Sequence, residues 1–68
     1  MDFTDKEVKE FYQKIINNIQ HIRKEKGITQ LDLALTIGHK SMSTIGKIEA
    51  DVEDKHYNIE HLYKIASI

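Results

Sequence analysis

IRKEKGITQLDLALTIGHKSMSTIGKIE, residues 22–49, is the stretch on which the fold turns. It reads as the end of one helix, a short helix, a tight glycine turn and a second short helix. Gly27 stops the first, because glycine takes the left-handed conformation that closes a helix without the clash of a β-carbon. Ile28 and Leu33 are spaced as a hydrophobic staple around Thr29, the N-cap, and Asp32 stands where a capping box places its carboxylate. Leu33, Ala34 and Ile37 then recur at helical spacing and turn inward; Ala34 is small enough to let another helix approach. Gly38 ends this segment. In the next, Ser41 or Ser43 supplies the cap and Ile45 and Ile48 point inward. Met42, Ser43, Gly46 and Lys47 are left on other faces. Gly46 costs about 1 kcal/mol of helix propensity against alanine. Either it is simply tolerated, or a side chain there would obstruct the approach of something outside.

Upstream, Thr4 and Glu7 form a T-x-x-E capping box, with Phe3 and Val8 placed as its staple, and Asp5 and Glu7 suit the positive end of a helix dipole. Val8, Phe11, Tyr12, Ile15, Ile16, Ile19 and Ile22 follow in steps of three and four, one face of a helix. The pattern predicts a helix over residues 5–26, about 22 residues or roughly 33 Å. Arg23, Lys24 and Lys26 suit its negative end. Downstream, residues 50–57 (ADVEDKHY) read as an acidic loop. Asn58 then caps a last helix over about 59–68, with Ile59, Leu62, Tyr63 and Ile65–Ala66 as its apolar stripe.

With 68 residues the chain is one domain, 1–68, that buries a limited share of its surface. It has no cysteine, hence neither a disulfide nor a thiolate zinc site, which suits a reducing cytoplasm. No apolar run approaches the roughly 20 residues of a membrane span, and MDFTDKEVKE lacks a signal-peptide profile. The net charge of −1 hides an asymmetry. Residues 1–20 carry −1, residues 21–48 carry +3, and residues 49–68 carry −3. The positive charge thus sits on the two short helices and the turn between them. Charge and layout together point to a helix-turn-helix, whose second helix enters the major groove of DNA.

The run I-R-K-E-K-G-I-T-Q, then L-A, I-G and S-T-I-x-K-I-E, resembles the phage-repressor helix-turn-helix (Cro-like, or xenobiotic-response-element) over residues 15–66. The resemblance implies an all-α, lambda-repressor-like bundle of four to five helices, here with an extended N-terminal helix, binding operator DNA as a homodimer. Gln30 would hold a backbone phosphate and brace the recognition helix, with Thr29 beside it. Met42, Ser43 and Lys47 would face base edges, and Thr44 would lie near the groove or a phosphate. Arg23 would pair with Glu49, largely buried. In the turn, beside Ser41, His39 and Lys40 read either as phosphate contacts or as solvated loop residues, and Lys24, Lys40 and Lys47 would supply the phosphate attraction.

Four departures stand out. The turn GHKS is one residue longer than usual, which shifts the start of the recognition helix. After Glu49 the family often has Asn-Gly and a basic residue, whereas here the chain reads Ala50-Asp51-Val52-Glu53-Asp54, and carboxylates repel phosphates. The first helix is several turns longer, and the sequence closes before the usual fifth helix. Phe11, Tyr12, Ile15 and Ile16 would then either cover core left by that helix or form a dimer interface. Leu31 and Leu35, an i, i+4 apolar pair where the family is usually polar, leave the same choice between internal packing and a subunit or partner contact.

Other chemistry is poorly supported. No two of the four histidines have the i, i+4 spacing of a metal pair. Neither a nucleophile elbow nor a phosphate-cradling glycine loop is present. The expectation is a small cytoplasmic transcriptional regulator that binds double-stranded DNA by operator occupancy, without catalysis, cofactor or metal. The alternative is a protein-interaction module, or an antitoxin, built on the same fold.

Overall fold

The computed structural model describes residues 4–53 and 55–68; Phe3 of the first staple and Asp54 of the acidic loop lie outside them. Four helices follow one another: α1 (Asp5–Glu25), α2 (Gln30–Thr36), α3 (Ser43–Glu49) and α4 (Ile59–Ile65). α1 sets the long dimension of a body measuring 37 × 22 × 20 Å. It packs on α3, and α2 packs on both α3 and α4.

Capping chemistry fixes the starts. The Thr4 hydroxyl accepts the Glu7 N–H at 3.1 Å while the Glu7 carboxylate accepts the Thr4 N–H at 3.4 Å. Thr29 and Asp32 repeat the box at 3.0 and 3.2 Å. α3 differs from expectation. Its N-cap is Met42, which offers no side-chain cap, and the hydroxyls of Ser41 and Ser43 bond each other at 2.9 Å. The turn before α3 therefore ends without a serine cap. α4 begins with a box that its sequence does not announce: Asn58 accepts from the His61 N–H at 2.7 Å, and His61 Nδ1 takes the glutamate's place by accepting the Asn58 N–H at 3.3 Å. That imidazole must be neutral at Nδ1 to accept. Burial and the neighbouring His39 hold its pKa below the ordinary histidine value.

Three helices end alike. At Gly27 (φ 69°) and Gly38 (φ 91°) the two residues after the C-cap return hydrogen bonds to the last turn: Gly27 to Lys24 and Ile28 to Arg23, then Gly38 to Leu35 and His39 to Ala34. This is the Schellman motif. α3 closes the same way, with Asp51 to Ile48 and Val52 to Lys47, but on an aspartate at φ 57°. α4 stops at Ile65, with Ala66 as its C-cap, three residues short of the expected 68.

The core is Ile16, Leu33, Ala34, Ile37, Ile45, Ile48 and Tyr57, with Ile19, Ile28, Leu62 and Ile65 packed partly buried against it. Of the five residues read as the apolar stripe of α4, two turn inward and Ala66 is exposed. Leu62 and Ile65 face inward, while Ile59 and Tyr63 are 86% and 81% exposed. Tyr57, just before the cap, is buried in the core, next to the chain's entry into α4. On α1 only Ile16 is fully buried; Val8, Phe11 and Ile22 remain exposed.

Candidate nucleic-acid interface

Besides Ile45 and Ile48 in the core, one carboxylate ties α3 to its neighbours. Glu49 lies at the last position of α3, its side chain 4% exposed, facing Arg23 on α1, itself 10% exposed. Arg23 donates through Nε to Oε2 at 2.9 Å and through Nη2 to Oε1 at 3.0 Å, a two-pronged pairing matched to carboxylate geometry. Arg23 Nη1 donates to the Ile28 carbonyl at 2.9 Å. Gln30, the first residue of α2, donates its amide to Glu49 Oε1 at 2.9 Å, and Gln20 of α1 does so at 3.4 Å. One anion thereby ties α1, α2 and the end of α3 together. Tyr57 lies against the same network. Burial foremost, then the Glu49 charge, pushes its phenol up to about 12, with Arg23 pulling the other way. Its Oη is buried and has no hydrogen-bond partner among the described residues.

With Ile45 and Ile48 turned into the core, α3 offers its other side outward. Met42, Ser43 and Lys47 are exposed, Thr44 is half-buried, and Lys40 and Ser41 of the turn are exposed. Among the described residues nothing lies within 4 Å of a β-carbon built on Gly46, so internal packing does not demand glycine there. Thr29 is exposed, but its hydroxyl is occupied by the α2 cap. Gln30 is half-buried with its amide nitrogen directed at Glu49. His39, half-buried, meets the ring of His61 edge-on at 5.4 Å. Lys47 Nζ is 3.8 Å from Glu53 Oε2 in the loop that follows α3.

The residues set apart for subunit or partner contact do not form one patch of uniform character. Phe11 is 61% exposed, whereas Tyr12 is half-buried and stacks on His56 with ring centroids 4.2 Å apart. Leu31 and Leu35 of α2 are 44% and 58% exposed, so they do not pack internally as a pair.

Three participants were not evident from sequence. Gln20 is one turn before Arg23 on the same face of α1, a spacing that would have found it. Glu53 carried only an unfavourable sign, with nothing to reveal a lysine partner. His61 is not a residue type expected to close a capping box.

An all-helical body in which two short helices meet across a glycine turn, the second held by a buried ion pair with its outer face open, defines a helix-turn-helix domain. Residues 19–68 match the family model described as Helix-turn-helix, and the chain belongs to that family, the Cro-like or xenobiotic-response-element type, whose members are DNA-binding regulators. Neither the curated proteins nor the solved structures contain a match. Among the described residues no helix is long and apolar enough to cross a membrane, and no three potential metal ligands cluster.

Proposed function

We propose that this chain binds double-stranded DNA with α3 in the major groove, and that it acts as a small cytoplasmic transcriptional regulator occupying its operator as a homodimer. The observation that carries the reading is the division of α3 and its N-cap: the side chains of Ile45, Ile48 and Glu49 are turned into the interior, and Met42, Ser43 and Lys47 are on the exposed side. On this reading Lys47 reaches guanine O6/N7 or a phosphate, Met42 touches a thymine methyl group, and Ser43 and Thr44 bond base or backbone. Lys40, Ser41 and Thr29 line the phosphates. Gln30 acts chiefly through Glu49, by fixing α3 relative to α2. Two such domains would read half-sites about one helical turn apart.

A second reading, a protein-interaction module or antitoxin, is favoured by the exposure of Leu31 and Leu35. Anisotropy titration of duplex DNA over a range of salt separates the two. Three or four phosphate contacts per protomer give a slope of log K on log salt of about −3 to −4 for one protomer and about −5 to −7 for the dimer. Lys40→Glu with Lys47→Glu should abolish that binding, and Leu31→Glu with Leu35→Glu should spare it. Absence of binding at low salt refutes the DNA reading and leaves the protein-partner one.

A further inference from the structure

Glu53 occupies an unusual position. Its Oε2 lies 3.8 Å from Lys47 Nζ on α3 and 3.9 Å from Lys55 Nζ in the following loop, so one carboxylate oxygen sits between two ammonium groups. Its backbone is left-handed, φ 61°, which is uncommon for glutamate, and Asp51 two residues earlier is left-handed as well, φ 57°. The loop leaves α3 through the Asp51 turn and brings Glu53 back beside the helix it has just left. All three side chains remain about half exposed, so no burial locks the arrangement and a stronger anion can replace the carboxylate.

Two lysines converging on one oxygen anion is also the way a protein grips a DNA phosphate. We infer that Glu53 is a built-in competitor for DNA phosphate: an intramolecular anion on Lys47 and Lys55 that DNA must displace before these lysines can engage the backbone. The inference rests on the DNA-binding reading and adds to it. It explains how an acidic loop comes to flank a recognition helix: the carboxylate lowers general attraction to DNA and leaves a larger share of the affinity to base contacts, since phosphate contacts carry no sequence information.

The test compares the wild type with Glu53→Gln on a random duplex. Glu60→Gln serves as the control, because Glu60 is likewise exposed, likewise 3.9 Å from a lysine, Lys64, and its loss changes net charge equally. One additional phosphate contact per protomer steepens the salt slope by about 0.9, or about tenfold tighter binding at 50 mM salt. Glu53→Gln should show both changes and Glu60→Gln neither, and adding Lys47→Gln to Glu53→Gln should remove most of the gain. An equal effect of the two glutamate substitutions, or an unchanged slope for Glu53→Gln, overturns the inference while leaving DNA binding intact. Failure of every protein to bind at low salt overturns both. Circular dichroism shows whether each variant is folded; the exposure of Glu53 predicts that it is.

Discussion

Replacing Glu49 by glutamine keeps its shape and removes its charge, and the cost can be worked from its partners. The carboxylate accepts two hydrogen bonds from Arg23 and one each from Gln30 and Gln20. In the variant Arg23, 10% exposed, keeps its bond to the Ile28 carbonyl but loses its counter-ion. Breaking one side of a buried pair costs about 3–5 kcal/mol, because the remaining charge stays desolvated. A domain of 68 residues has a total stability of about 3–10 kcal/mol. Glu49→Gln should therefore remove about a third or more of that stability, and a wild type at the low end of the range would be left about half unfolded at room temperature. Urea unfolding followed at 222 nm, with DNA or a stabilising osmolyte added if the baseline is lost, measures it. Arg23→Met with Glu49→Leu removes both charges and leaves apolar side chains, so it should cost far less than the two single changes together. The reasoning is refuted if Glu49→Gln loses under about 1 kcal/mol, or if the double variant costs the sum of its singles.

Other substitutions probe separate features. Gly46→Ala should raise stability by about 1 kcal/mol, since a β-carbon there meets open space among the described residues; weaker DNA binding by this more stable protein would show that the glycine serves close approach to the groove. Tyr57→Phe should be neutral or stabilising, because the lost hydroxyl has no partner among the described residues. The phenol is raised from 10 to about 12 in the folded chain, so the wild type loses stability as pH climbs from about 10 towards 12 and the Phe variant does not, a difference read from thermal midpoints across that range.

How much of the fold and the site was legible in the sequence depends on the kind of signal each feature leaves. The capping boxes at Thr4 and Thr29 and the stops at Gly27 and Gly38 are local: each needs particular residue types at fixed offsets, and the chain carries them. The start of α3 depends on whether Ser41 or Ser43 caps, and the two hydroxyls bond each other instead. The end of α3 uses Asp51 where glycine usually marks a left-handed residue, so no composition signal pointed to it. α4 is two turns long, too short for spacing to fix its orientation, and the buried aromatic of this segment, Tyr57, lies outside the helix. In the site, the Arg23–Glu49 pairing came from family resemblance. The engagement of Lys47 by Glu53 depends on the path of a loop, which periodicity does not describe.

The brevity of the helices has a thermodynamic consequence. α2, α3 and α4 are seven residues each, about half the length at which an isolated helix begins to persist in water. None can exist on its own; each is helical only while docked on the shared core and, for α3, while Glu49 is held from α1 and α2. The surface that faces outward on α3 therefore has no stability separate from that of the whole domain. The folding equilibrium and the supply of binding-competent protein are one equilibrium, so damage anywhere in the core lowers occupancy of the ligand by reducing the competent fraction, without touching a contact residue.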